Sequence, residues 1–185
     1  MSSVWLITGA QAAGKSTVAD LLARHFERGV HVRGYQFARW VVSGWTAFDG
    51  EDVDDARRLL DLRYRLSALV ADEYAAAGFT TVVQDNIYGA DVERWVASIA
   101  ARPLHVVVLR PTVTVLSARD EARRLERGKV AYRGDYTPAR NDADLATTPR
   151  HVGLWLDTSE QSPEESVREI LTRRAEAEVS RRSAP

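Results

Sequence analysis

Residues 9–17, GAQAAGKST, place two glycines, a lysine and two hydroxyl side chains at the spacing G-x-x-x-x-G-K-[ST]. This spacing suits a phosphate group, because glycines let backbone N–H groups turn inward and the following helix presents its positive dipole end. Lys15 can reach β- and γ-phosphates, and the Ser16 hydroxyl can be a ligand to Mg²⁺. The alternative is a plain glycine turn with an exposed lysine. The predicted phosphate-binding residues are Gly9, Ala10, Gln11, Ala12, Ala13, Gly14, Lys15, Ser16 and Thr17.

Asp85 is a second candidate for chemistry, because it ends an apolar run and lies between Gln84 and Asn86. Ligands of open parallel sheets bind beyond the carboxyl ends of the strands, which is where this carboxylate is expected. We predict that Asp85 is catalytic and contacts the substrate, either as a general base or as a ligand to Mg²⁺ through water. The alternative is a helix N-cap or an ordinary loop acid.

Arginines at spacings of four residues form the third candidate group. Arg119, Arg123 and Arg127 share one face of a predicted helix. Such cations can neutralise the charge that develops on a transferred phosphoryl group. We predict that Arg119 and Arg123 are catalytic. The alternative is a solvated helix face, paired with neighbouring acids such as Asp120 and Glu121.

The elements that must position these residues follow an alternating pattern of short β-branched runs and longer helical stretches. Runs of this kind are typical of strands covered on both faces, and the spacing predicts a parallel sheet of βαβ units. The predicted strands are Val4–Thr8, Val30–Arg33, Thr80–Gln84, Leu104–Leu109 and Gly153–Asp157. The predicted helices are Gly14–Phe26, Asp52–Ala77, Asp91–Ala101, Thr112–Arg127 and one from Ser162 to about Val179.

The composition is that of an ordinary soluble domain, with 45 % apolar residues and a formal charge of −1 over 185 residues. That balance argues against a nucleic-acid partner, which usually requires a basic excess. The absence of cysteine excludes disulfides, thiolate metal sites and cysteine nucleophiles. The apolar run near the N-terminus lacks a basic segment and is too short for a signal peptide or a membrane span, so we expect a cytoplasmic protein without a membrane partner. We expect one domain over residues 1–180 and a frayed tail at 181–185.

Two motifs specific to GTPases, N-K-x-D and a switch D-x-x-G, do not occur in suitable places. The chain instead resembles chloramphenicol phosphotransferase and related small P-loop kinases. The resemblance rests on LITGAQAAGKST, HVRGYQF, FTTVVQDNIYG and the arginine-rich stretch Arg119–Arg127. It implies a three-layer α/β/α P-loop NTPase fold with a five-stranded parallel sheet in the order 2-3-1-4-5. It also implies ATP- and Mg²⁺-dependent transfer of the γ-phosphoryl group to a small hydroxyl compound, with the adenine near Asp157–Gln161.

Tyr35 departs from that family pattern, in which this position after the second strand is typically an aspartate. Tyrosine has a reference pKa near 10 and is a poor base at neutral pH. Asp85 could supply the base, or positioning and charge could suffice without a strong base. Tyr35 could also stack on, or hydrogen-bond to, a different substrate.

The acceptor is expected beside a helical insertion over about 35–78, under a lid over about 119–150. The stretch 129–148 has no clear periodicity and is expected to be a loop with little structure. The predicted substrate-binding residues are Arg33, Tyr35, Trp40 and Asp85. Trp40 could instead pack a short helix on the sheet, and Arg33 could instead pair with Asp85.

Three functions agree with these observations. The first is a kinase of a small hydroxylated molecule, either an antibiotic-like compound or a metabolite. The second is a nucleotide or nucleotide-sugar kinase, including the zeta-toxin-like kinases of cell-wall precursors. The third is a nucleotide-binding module without phosphotransfer, suggested by Tyr35. The sequence predicts no oligomeric state.

Overall fold

The computed structural model describes residues 2–46, 52–128, 130–132 and 134–180, and in Arg127 only the backbone. Its centre is a five-stranded parallel sheet in the order β2-β3-β1-β4-β5, as the family resemblance implied. All residues of β1 and β4 are buried, because these strands are covered on both faces. The strands are β1 (Val4–Gly9), β2 (Gly29–Arg33), β3 (Thr80–Gln84), β4 (Leu104–Leu109) and β5 (Leu154–Leu156).

Helices lie on both faces of the sheet and complete the three-layer α/β/α arrangement. They are α1 (Lys15–His25), α2 (Tyr35–Arg39), α3 (Val53–Ala76), α4 (Ala90–Ser98), α5 (Val113–Arg127), α6 (Pro138–Ala146), α7 (Pro163–Thr172) and α8 (Arg174–Ala177). The first helix packs against β2, β3 and α7, whereas α3 packs against β2, β3 and α4. In the described ranges, no helix combines the length and the apolar character that crossing a membrane requires.

Polar side chains at the helix starts explain several of the boundaries. Asp52 accepts a hydrogen bond from the backbone N–H of Asp55 at 2.7 Å and caps α3. Ser162 and Glu165 form a capping box at the start of α7, as the sequence predicted.

The C-terminal part differs from the prediction of one helix to about Val179. The chain leaves the helix at Arg173, and Glu178 forms an antiparallel bridge with His105 after α8. The backbone N–H of Val179 donates to the carbonyl of Leu104 at 2.9 Å. Pairing with the amino end of β4 therefore replaces the last helical turns. The predicted frayed tail at 181–185 lies outside the described residues.

The prediction of little structure over 129–148 was wrong, because α6 occupies residues 138–146. Thr137 caps this helix by accepting from the N–H of Arg140 at 3.2 Å, and Pro138 is its first residue. Asn141 and Leu145 on α6 are fully buried. The middle of the proposed lid is thus an amphipathic helix that packs on the domain.

Candidate active site

The turn between β1 and α1 adopts a conformation that requires its glycines. Gly9 has φ +145° and lies against β4, where an added Cβ would stand 2.2 Å from the carbonyl oxygen of Leu109. Gly14 has φ +91° and opens α1. Ala12 also has a positive φ, of 64°, which is unfavourable for a residue with a side chain. The backbone is therefore bent tightly around the position that the sequence assigns to phosphate.

Lys15 is buried at the mouth of this turn, with 6 % of its surface exposed. Its Nζ donates to the carbonyls of Gly9 at 2.8 Å and Ala10 at 2.7 Å. Burial lowers the pKa of Lys15 to about 7, against the opposing charge of Asp85. A phosphate group would supply the negative charge that the buried amine needs, so the turn fits the triphosphate of ATP.

Ser16 lies next to the end of β3, where its hydroxyl donates to the side-chain carbonyl of Gln84 at 3.0 Å. Hydroxyl and amide oxygens are ligands that Mg²⁺ accepts beside phosphate and water. The two side chains therefore suit a magnesium position next to the phosphates. The sequence singled out Ser16 for this role and placed Gln84 only as a neighbour of Asp85.

Asp85 is held by an arginine that the sequence analysis missed. Its Oδ2 accepts from Arg63 Nε at 3.0 Å, and its Oδ1 accepts from Arg63 Nη2 and from the backbone N–H of Asn86. The side chains of Arg63 and Asp85 are only 9 % and 1 % exposed. Burial alone would lower the pKa of Arg63, but the charge and hydrogen bonds of Asp85 raise it. The two side chains therefore form a buried ion pair, and its hydrogen bonds together with that of Asn86 leave the carboxylate few free lone pairs for a metal.

The close approach of β2 explains how Asp85 reaches this position. Gly34 follows β2 and donates its N–H to the carbonyl of Gln84 at 3.0 Å. A Cβ on Gly34 would lie 2.1 Å from Asp85 Oδ2, so the carboxylate occupies the space of a side chain at position 34. The ring of Tyr35 lies 5.4 Å from the guanidinium carbon of Arg63. The structure thus brings Tyr35 and Asp85 together, around Arg63.

Two predicted substrate-binding residues, Arg33 and Trp40, lie elsewhere. They line a groove of about 540 Å³ along β2. Trp40 is 65 % exposed and packs edge-on against Phe37 at 5.2 Å, as in the alternative of a short helix packed on the sheet. The lining residues of this groove are Val30, His31, Val32, Arg33, Gln36, Phe37, Trp40, Val70, Glu73, Tyr74 and Ala77, and they include neither Lys15 nor Asp85. The alternative pairing of Arg33 with Asp85 is not formed, because Arg63 takes that place.

The two arginines predicted to be catalytic have different surroundings on α5. Arg119 donates to the carbonyl of Thr158 at 2.7 Å and to that of Ala13 at 3.4 Å. It therefore bridges the phosphate-binding turn and the loop after β5. Arg123 donates to Asp120 at 2.6 Å, and its charge lies close enough to lower the pKa of Lys15. The side chain of Arg127 lies outside the described part of the chain.

Together, the sheet order and a turn wrapped ahead of a buried lysine define a P-loop nucleotide-binding protein. Residues 4–135 match a family model described as "AAA domain", and the chain belongs to that family. A search of curated proteins found no match.

Solved structures share this fold at low sequence identity. A sugar kinase from a Janibacter species has 19 % identity and a TM-score of 0.63, with 96 % of each chain covered. A gluconokinase from Sinorhizobium meliloti has 20 % identity and a TM-score of 0.60, covering 95 % of this chain and 93 % of that one. A shikimate kinase from Acinetobacter baumannii has 13 % identity and a TM-score of 0.61, also covering 95 % and 93 %.

Proposed function

We propose that this protein is an ATP- and Mg²⁺-dependent kinase that phosphorylates a hydroxyl group of a small molecule, in the cytoplasm. The observation that carries the proposal is the pairing of a phosphate turn with a buried acid. Lys15 closes the turn, and the Arg63–Asp85 pair is close enough for both charges to act on the pKa of Lys15. Family membership supports a P-loop kinase, and the sugar, gluconate and shikimate kinases of similar fold support a small hydroxylated acceptor.

The nucleotide side of the site is assigned to residues 9–17. When bound, ATP supplies the phosphoryl group, and Mg²⁺ neutralises charge on the phosphates. Lys15 binds the β- and γ-phosphates from the buried side of the turn, where the low dielectric strengthens the attraction between its charge and the phosphates. Ser16 is the proposed ligand to Mg²⁺, and Gln84 orients its hydroxyl.

The acceptor side is assigned to Asp85, with Arg63 and Tyr35 around it. The acceptor oxygen forms a bond to phosphorus while the bond to the leaving oxygen of ADP breaks, and the hydroxyl proton passes to Asp85. Oδ2 is the oxygen proposed for this step, because it carries one protein hydrogen bond whereas Oδ1 carries two. Gly34 is essential to this arrangement, since it admits the carboxylate from β3 to the end of β2. In this proposal, the acid that the family resemblance leads us to expect after β2 is supplied from the neighbouring strand.

The α5 arginines receive separate roles in this proposal. Arg123 acts on the transferred group, because its charge reaches Lys15. Arg119 is better placed to hold the nucleotide base against the loop after β5, since its guanidinium is bonded to Thr158. The lid over about 119–150 and the insertion over about 35–78 enclose the acceptor.

An unphosphorylated acceptor is favoured over a nucleotide or nucleotide-sugar by the placement of the cations. Arg33, the residue expected to bind an acceptor phosphate, lines the groove along β2 instead. Arg63 is already neutralised by Asp85. Two kinds of unphosphorylated acceptor are candidates. The resemblance to chloramphenicol phosphotransferase favours an antibiotic-like compound, and the similar sugar kinases favour a sugar-like metabolite.

The test is transfer from γ-labelled ATP to a panel of sugars, sugar acids, hydroxylated antibiotics and nucleosides, each offered with its phosphorylated form where one exists. Mass spectrometry of the acceptor should show the addition of one phosphoryl group, at a strongly reduced rate for Lys15→Ala. Transfer only to phosphorylated acceptors would contradict the assignment of acceptor class. Thermal stabilisation by Mg·ATP with no labelled acceptor would favour a binding module without phosphotransfer. The structural argument for that function is that Asp85 is buried and paired with Arg63.

A further inference from the structure

Asn141 on α6 contacts the phosphate-binding turn across 130 residues of sequence. Its Oδ1 accepts from the backbone N–H of Gln11 at 2.7 Å, and the residue is fully buried. Its Nδ2 donates to the hydroxyl of Tyr136 at 2.8 Å. Because both ends of the amide are bonded, its orientation is fixed and Gln11 is held in one place.

Tyr132 also binds Gln11, through the backbone carbonyl rather than the N–H. Its hydroxyl donates to the carbonyl of Gln11 at 2.5 Å and lies 3.4 Å from Asn141 Oδ1. The segment that contains α6 therefore binds both the N–H and the C=O of Gln11. Tyr88, from the loop after β3, donates to the carbonyl of Gly9 at 3.0 Å and supports the start of the turn.

These bonds lie next to the least favourable backbone in the turn. Ala12 follows Gln11 and has φ 64°, the only positive φ at a non-glycine residue in the described part of the chain. Such a conformation persists only where the surrounding structure enforces it. Asn141 and Tyr132 provide that enforcement from outside the turn.

We propose that Asn141 is a positioning residue of the nucleotide site: with Tyr132 it keeps the turn in its phosphate-binding shape. This inference rests on the proposed function for the identity of the ligand, Mg·ATP. The coupling is reciprocal, so a bound nucleotide also strengthens the hydrogen bonds of Asn141 and Tyr132 to Gln11. Part of the nucleotide affinity is therefore built into the lid rather than into the consensus residues.

The test compares Asn141→Ala with Asp142→Ala, its neighbour on α6. Asp142 binds Arg110 through two hydrogen bonds, of 2.7 and 2.9 Å, so its loss weakens the docking of α6 without removing a bond to the turn. Two quantities are measured: the Kd of Mg·ATP and Mg·ADP by calorimetry, and hydrogen exchange of the peptide covering 9–17 in the free protein.

Asn141→Ala should weaken nucleotide binding about tenfold, as expected for loss of one buried hydrogen bond together with some order in the turn. Its turn peptide should also exchange faster. Asp142→Ala should change both quantities less than about twofold, even if it lowers the melting temperature as much as Asn141→Ala does. Tyr132→Phe removes one hydroxyl and should also weaken nucleotide binding and speed exchange of the turn peptide. It keeps the test decisive if Asn141→Ala does not fold.

Unchanged Kd and unchanged exchange in both Asn141→Ala and Tyr132→Phe would overturn the inference. Equal effects from Asp142→Ala would also overturn it, because the lid would then act only through general stability. If the wild-type protein does not bind Mg·ATP, the proposed function fails instead. The exchange measurement then still decides whether Asn141 holds the turn.

Discussion

Replacing Arg63 by methionine tests whether the buried ion pair organises the acceptor side. Methionine keeps much of the side-chain volume but leaves the carboxylate of Asp85 buried with a single backbone donor, from Asn86. Removing one partner of a buried pair costs about 3–5 kcal/mol, because the remaining charge is not compensated. The gross Coulomb attraction is of the same order, because unit charges at the observed Nε–Oδ2 distance of 3.0 Å interact by about 5.5 kcal/mol at an effective dielectric of about 20.

Urea unfolding of Arg63→Met should therefore show a free energy of unfolding lower by roughly 3–5 kcal/mol, with Tm lower by roughly 6–20 °C. Arg57→Met is the matched control, because Arg57 lies on the same helix and binds Asp91 through two hydrogen bonds of 2.8 Å. Its side chain is 36 % exposed, so its loss should cost about 1 kcal/mol or less.

The double variant Arg63→Met/Asp85→Asn removes both charges and should be less destabilised than the sum of the two single variants. A cost for Arg63→Met no larger than that for Arg57→Met would refute the reasoning. It would mean that the carboxylate of Asp85 is stabilised without Arg63, and that Arg63 does not set its position.

Four further outcomes are expected. Lys15→Ala should reduce phosphotransfer by at least about 100-fold through loss of charge at the phosphates, and near-normal kinetics would contradict its role. Gly34→Ala should cost about 1–3 kcal/mol and most of the activity, because its Cβ would lie 2.1 Å from Asp85 Oδ2; a crystal structure with Asp85 unmoved would disprove this. Asp85→Asn should lower kcat far more than Tyr35→Phe, and the reverse order would identify Tyr35 as the critical group. The free energy of unfolding should rise from pH 7 to about 10.5, because the pKa of Lys15 is about 7 in the folded protein and 10.5 in the unfolded chain. Between these values the unfolded chain holds a proton on Lys15 that the folded protein has lost, so raising the pH favours the folded state. Lys15→Met should flatten this rise.

Local signals predicted most of the scaffold. The strands and the turn followed from apolar runs and from glycine spacing, which act over a few residues, whereas the strand order was implied by the family resemblance. The start of α6 was also readable, since Thr137-Pro138 is an N-cap followed by proline, but the polar composition around it obscured the signal. The C-terminal bridge between Glu178 and His105 was not readable, because it depends on a partner far away in the sequence.

The acceptor side shows where sequence reasoning ends. Asp85 stood out because a strand ended there, whereas Arg63 lay among leucines and other arginines on a long helix with no local mark. Its role follows from the packing of α3 over β3, which brings the guanidinium to the carboxylate. The same applies to Asn141, whose partner Gln11 is defined only by the docking of α6.

The pairing of Val179 with Leu104 has a practical consequence for assays. It fixes the end of the described chain beside the amino end of β4, whereas the glycine-rich turn leaves the carboxyl end of β1, at the opposite rim of the sheet. A biotin or dye attached shortly after this point would leave the proposed binding face turned away from a sensor surface. Immobilisation through that end is therefore the geometry of choice for binding kinetics with large or tethered ligands.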